Sequence, residues 1–318
     1  MIKLKGTFLD EITHDIPSQN WTARDWDKDF RAMKAVGIDT VILIRAGYKR
    51  QAALPSAVLE KEAGIFPVYT DLLDLFLTLA ERYGMELFFG LYDSGKYWVD
   101  GSYRAEIEIN KTFCDEVVQN YGHRKAFKGW YISHEISRYD KGMMDLYEEL
   151  SVHLKKLKDQ PTLISPYVAG VKQFGDKAVS YEQHTGDWRK IFKHIEGSVD
   201  IVAFQDGQVG YDELPTYLEV HKELASEHGI ESWSNVESFD RDMPIKFPPI
   251  PFKNLRYKME LAHRAGIEKM ITFEFSHFMS PNSIYPSAHG LYKQYSAWLR
   301  EQGFEENQFI NKTEEKSS

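Results

Sequence analysis

The chain has 318 residues, is 42% hydrophobic, carries a net charge of −9 and contains one cysteine. That length and apolar content can bury a sizeable core in one large domain or two small ones. The acidic balance argues against a nucleic-acid partner, the lone Cys114 excludes an internal disulfide and a cysteine metal site, and no apolar run is long enough to span a membrane.

The chain opens as a strand, Met1-Ile2-Lys3-Leu4-Lys5-Gly6, with no signal-peptide core, which makes the cytoplasm the expected compartment. Strands are expected near residues 3–9, 39–45, 85–92, 128–134, 161–167, 199–205, 230–236 and 268–275. Helical spacing fills the gaps. Trp26, Phe30 and Met33 share one face, as do Leu72-Leu73, Phe76 and Leu79-Ala80, with Thr70 as the expected N-cap. Further helices are expected over Leu255–Arg264 and Leu291–Leu299.

One junction recurs at Val36-Gly37-Ile38-Asp39, Tyr83-Gly84-Met85-Glu86, His228-Gly229-Ile230-Glu231 and Ala265-Gly266-Ile267-Glu268. Glycine takes the left-handed cap without a Cβ penalty, and the next apolar residue closes the turn into a strand. Eight strands alternating with helices predict the α/β class and a single (β/α)8 TIM barrel over 1–304, with a polar tail over 305–318 of disorder-prone composition. No Gly-x-Gly-x-x-Gly follows the first strand, against a dinucleotide-binding open sheet. Two long segments, 46–69 and 238–253, are expected on the catalytic face as walls or lids, their prolines excluding helix.

Barrel active sites form at the carboxyl ends of the strands. Those ends bring Asp10 and Glu11, with His14 and Trp21 beyond, then Arg45 and Tyr48, then Tyr92, Asp93, Tyr97 and Trp98. The fourth strand, Gly129-Trp130-Tyr131-Ile132-Ser133-His134-Glu135, ends on a carboxylate. The remaining ends give Ser165 and Tyr167, Gln205 and Asp206 in Phe-Gln-Asp-Gly, Asn235 and Glu237, and Glu274 with His277. Carboxylates at six of eight ends, mixed with Tyr and Trp, point to a functional cavity. Alternation puts Tyr131, Ser133 and Glu135 on one face and Trp233, Asn235 and Glu237 on another.

Two carboxylates flanking a glycosidic bond suffice to hydrolyse it, one donating a proton and the other attacking or activating water. Aromatic rings stack on pyranose faces, and Arg45, Gln205 and Asn235 can bond hydroxyls. The same acids also suit a metal-dependent sugar isomerase or epimerase, through Glu135, Asp206, Glu237, Glu274, His134 and His277, although no His-Glu-x-x-His occurs. A non-catalytic sugar-binding barrel is a third reading.

Glutamates closing strands four and seven resemble the large retaining glycoside-hydrolase clan of this architecture. The resemblance implies Glu135 as acid/base and Glu237 as nucleophile, and departs where that clan has asparagine and this chain has His134. Gly-Thr-Phe-Leu-Asp at 6–10, Gly-Trp-Tyr-Ile-Ser-His-Glu at 129–135 and Val-Asp-Ile-Val-Ala-Phe-Gln-Asp-Gly-Gln-Val-Gly at 199–210 resemble the bacterial barrel family catalogued as domain of unknown function 4434. That family is glycoside-hydrolase-like. The implied catalytic set is Glu135, Glu237 and Asp206. The expected sugar contacts are Asp10, Glu11, Arg45, Tyr92, Asp93, His134, Tyr167, Gln205, Asn235 and Glu274. The expected partner is a carbohydrate, with no cofactor and no metal.

Overall fold

A computed structural model describes residues 1–13, 16–241 and 247–305. Its barrel strands are β1 (Gly6–Leu9), β2 (Thr40–Leu43), β3 (Glu86–Gly90), β4 (Phe127–Tyr131), β5 (Thr162–Ile164), β6 (Ile201–Gln205), β7 (Glu231–Asn235) and β8 (Met270–Thr272). All eight run parallel and close on themselves, β1 pairing β2 at Gly6↔Thr40 and β8 at Gly6↔Ile271. Alternation along each strand sorts its side chains. Phe8, Ile42, Phe88, Tyr131, Leu163, Ala203, Trp233 and Ile271 form an inner cluster that fills the barrel. Their neighbours Leu9, Leu43, Phe89, Trp130, Ile164, Phe204 and Met270 join the larger apolar layer under the helices. The expected junctions hold: Gly37, Gly84, Gly229 and Gly266 all take positive φ.

The helices expected around Trp26, Leu72, Leu255 and Leu291 are Ala23–Ala35, Leu72–Tyr83, Phe252–Arg264 and Pro286–Glu301. The N-cap of the second is Asp71 rather than Thr70: its carboxylate accepts the Asp74 N–H at 2.9 Å and the Tyr121 hydroxyl at 2.6 Å. The 46–69 segment also departs from expectation, because it holds a helix, Ala57–Ala63. Pro55 precedes the Ser56 N-cap, where its missing N–H costs nothing, so proline admits the helix there. The same segment supplies Gly47–Tyr48 and Gln51–Ala52 to a small three-stranded sheet completed by Tyr92–Asp93. After β7, the chain folds back at the Phe239↔Pro249 bridge. His14, the residues 242–246 and the tail beyond Glu305 lie outside the described residues. Among those described, no helix is long and apolar enough to cross a membrane.

Between helices Tyr181–Ile195 and Leu214–Glu227, His184 and His221 are buried with their Nε2 atoms 2.8 Å apart, so one neutral ring donates to the other. His221 stacks on Phe204 with ring centroids 3.4 Å apart. Burial pushes His184 down to about 4, and burial together with His184 pushes His221 well below its usual range. Both therefore stay neutral in the folded chain, while the unfolded chain takes up their protons below about 6.5. Their contribution is full above that pH and falls on acidification towards 4, by roughly 2 kcal/mol per histidine at pH 5. Urea denaturation at pH 7.5 and pH 5 should show less loss of stability on acidification in His184→Gln/His221→Gln than in the native protein.

Candidate active site

At the carboxyl ends of the strands the barrel opens into a cavity of about 670 Å³. Glu135 and Glu237 both line it, together with the expected Arg45, Tyr167, Gln205, Asn235 and Trp98. Phe8, Ile44 and Phe273 add apolar surface, and Phe239 and Phe247 stand on the segment after β7.

Glu135 does not end β4. That strand stops at Tyr131, and residues 132–136 continue beside the β5 segment, with Ile132 N–H on Leu163 O at 2.9 Å and Tyr167 N–H on Ile136 O at 3.1 Å. This carries Glu135 up to the cavity. Its carboxylate lies 3.9 Å from Arg45 Nη2 and accepts from the Tyr131 hydroxyl at 3.5 Å. Burial pushes Tyr131 well above its usual range, and Glu135 adds to the shift, so the phenol remains a donor. Arg45 is shared: its Nε donates to Asp93 at 3.0 Å. Burial lowers the Arg45 pKa, but Glu135 and Asp93 outweigh it and the net shift is upward, so the guanidinium stays charged. Burial pushes the Asp93 carboxyl up, but His134, Arg45, Trp98 Nε1 at 2.8 Å and Gly95 N–H at 2.8 Å together hold it below its ordinary value.

Glu237, two residues past β7, is 2% exposed and is gripped by the Arg241 fork, Nε on Oε2 at 3.0 Å and Nη2 on Oε1 at 2.8 Å. Such bidentate pairs fix orientation as well as charge. Burial opposes the Arg241 charge, and Glu237 with Glu135 restores it, leaving its pKa raised. Gln205 and Asn235 are turned towards each other's surroundings by Ser165: Gln205 Nε2 donates to its carbonyl at 3.0 Å and Asn235 Nδ2 to its hydroxyl at 3.2 Å. Tyr167 stacks on Phe174 with rings 9° apart.

The other expected contacts lie behind this wall. Asp10 is buried and caps the next turn, accepting from the Thr13 N–H at 3.1 Å and from its hydroxyl; burial raises its pKa. Glu274 caps the short helix Phe275–Phe278 through the N–H groups of Ser276 and His277 at 2.9 and 2.6 Å, and accepts from His277 Nδ1 at 2.6 Å. Glu11 bonds Ser18, and the Tyr92 hydroxyl donates to Lys49 O at 2.9 Å. His134 is wholly buried, its Nε2 2.8 Å from Glu106. Asp206 sits beneath Glu237, paired to Lys258 Nζ at 2.6 Å, with burial raising its pKa. Asp10, Glu274 and Asp206 thus accept from backbone N–H groups at or beyond the strand ends rather than facing the cavity.

The metal set proposed from sequence is not gathered into one site: Glu274 pairs with His277, Asp206 with Lys258 and His134 with Glu106. Among the described residues, Asp93, Glu106 and His134 do bring three potential ligand atoms within 4.8 Å. The oxygens of Asp93 and Glu106 already accept from Arg45, Trp98, Gly95 and the Ser94 N–H and hydroxyl, while His134 Nδ1 is buried without a partner among the described residues.

Lys172, Gln173, Gln208, Arg241 and Phe247 also line the cavity and were missed in the strand-end reading. Arg241 and Phe247 lie in the 238–253 segment expected as a wall, where neither stood out by spacing because neither residue is in a helix.

The family model described as Domain of unknown function (DUF4434) matches residues 4–285. No curated protein matches the sequence. A crystal structure from Bacteroides thetaiotaomicron, of a protein provisionally described as an alpha-L-fucosidase, is 51% identical over 94% of both chains with a TM-score of 0.91. The endo-1,4-beta-D-mannanase of Thermotoga petrophila is 15% identical over 93% of this chain and 99% of its own, TM-score 0.63. The beta-D-glucuronidase of Dictyoglomus thermophilum is 14% identical over 93% of this chain and 50% of its own, TM-score 0.54. The last two share the fold, so the chain has the barrel that these glycoside hydrolases use.

Proposed function

The chain belongs to the family described as Domain of unknown function (DUF4434), and from its site we propose that it hydrolyses glycosidic bonds, with Glu135 as general acid/base and Glu237 as nucleophile. The observation that carries this reading is that both carboxylates line one cavity, each beside its own arginine, among aromatic rings. Glu237 attacks the anomeric carbon as the glycosidic C–O bond breaks, and the Glu135 proton passes to the leaving oxygen. Glu135 then takes a proton from water, which displaces Glu237. Each carboxylate oxygen has two lone pairs, so the Arg241 fork leaves one on each for the attack. Arg45 stabilises the Glu135 anion that proton donation creates.

The 51% identical relative makes aryl α-L-fucosides the first substrates to try. The apolar surface of Phe239, Phe247 and Phe273 suits the methyl group of a 6-deoxy sugar. Ring hydroxyls would meet Gln205, Gln208 and Asn235. The test is a leaving-group comparison. Glu135→Gln should slow cleavage of a natural glycoside by about 10²–10⁴-fold, the usual worth of general acid catalysis. It should slow a 4-nitrophenyl glycoside far less, since nitrophenolate needs little protonation. A loss below about tenfold on the natural glycoside, an order of magnitude under the bottom of that range, removes Glu135 from the role.

A further inference from the structure

The Phe-Gln-Asp-Gly motif at 204–207 sits against Glu237 rather than in the cavity wall alone, and its last two residues meet that glutamate on different sides. The barrel ladder of β7 ends at Asn235, so Glu237 needs other partners for its backbone. Its N–H donates to Asp206 Oδ1 at 3.0 Å, and its carbonyl accepts from Lys258 Nζ at 2.8 Å. Lys258 and Asp206 are themselves paired at 2.6 Å, which closes a ring of hydrogen bonds and charge around the backbone of one residue. The side chain then lies over Gly207. A Cβ built there would overlap Glu237 Oε2, approach its Cδ to 2.5 Å and approach Arg241 Nε to 3.0 Å. Gly207 is not among the glycines with positive φ, so a side chain is excluded here by the carboxylate and not by the backbone.

We propose that Gly207, Asp206 and Lys258 are the positioning residues for Glu237: the ion pair holds its backbone at both ends, and the bare glycine is the floor on which its carboxylate rests. This inference rests on Glu237 being the nucleophile. A displacement of about 1 Å in a reacting group can cost on the order of 100-fold in rate, and an added methyl forces one of that size.

The experiment is a double-mutant cycle between Gly207→Ala and Glu237→Gly, read by turnover and by thermal denaturation. With 4-nitrophenyl α-L-fucoside, Gly207→Ala should lower kcat by about 100-fold. In Glu237→Gly with added sodium azide, the azide attacks the anomeric carbon and nitrophenolate leaves. There Gly207→Ala should change the rescued rate little, because the carboxylate it collides with is gone. Likewise Gly207→Ala should lower Tm in the native background and leave it unchanged in Glu237→Gly, a readout that needs no substrate. Equal drops in Tm in both backgrounds would overturn the seat. So would a native kcat in Gly207→Ala when Glu237→Gln is inactive. Retained turnover in Glu237→Gln overturns the nucleophile assignment instead, and the Tm cycle then judges the seat by itself.

Discussion

Glu237→Gln should retain roughly 10⁻⁴ to 10⁻⁶ of native turnover, the scale of loss when a nucleophile is removed. The amide is nearly isosteric, so Arg241 keeps an acceptor on one side and the cavity keeps its shape. Sugar binding, measured by calorimetry with the free monosaccharide, should therefore persist. The same pair of measurements separates the catalytic reading from a barrel that binds sugar without cleaving it. Such a barrel would show no turnover in the native protein for the substitution to remove.

The largest effect on stability should come from Lys258. It is 3% exposed, and its ammonium group bonds the Asp206 carboxylate and the Glu237 carbonyl. Lys258→Met leaves a buried carboxylate without its cation, a loss of about 3–5 kcal/mol. The pH dependence follows from Asp206. Burial already raises its folded pKa above the ordinary 3.8, even with Lys258 present. A group raised in the folded state contributes most below its unfolded pKa and loses that contribution as pH rises through the folded value. The Lys258→Met deficit should thus be larger at pH 8 than at pH 5 in urea denaturation. Adding Asp206→Asn should recover part of it at pH 8, because a neutral amide replaces the unpaired anion.

The frame of the molecule was legible because it is written in short-range chemistry. Glycine-capped helix ends and apolar runs recur with the barrel's own period, and each specifies a local conformation from neighbouring residues alone. The site was legible in part. Arg45, Glu135, Tyr167, Gln205, Asn235 and Glu237 lie where strand-end position put them, on the cavity. Asp10 and Glu274 were indistinguishable from these by position, yet both turn back to cap a turn. Each stands three residues before a partner, Thr13 and His277, whose N–H it accepts. That capping spacing was the signal to read. Lys172 and Gln173, in the one-turn helix Val171–Phe174, and Gln208, in a turn, carried no such mark, since neither element is long enough to show periodicity. Gly207 could not be found from sequence at all, because its meaning is the absence of atoms where a residue thirty positions later needs room.

The small sheet beside the cavity constrains how this chain can vary. Gly47 and Tyr48 pair in register with Tyr92 and Asp93, so the loops after β2 and β3 are locked one to the other by backbone hydrogen bonds. Arg45 and Asp93 meet only because the number of residues from each barrel strand to that sheet is matched. Adding or removing a single residue between Leu43 and Gly47, or between Gly90 and Tyr92, breaks the match and pulls the guanidinium from its carboxylate. In this chain, a length change between either barrel strand and its paired position should cost the Arg45–Asp93 bond unless both loops change together. An insertion beyond Gln51–Ala52, outside the Gly47–Tyr48 pairing with Tyr92–Asp93, should leave that bond in place.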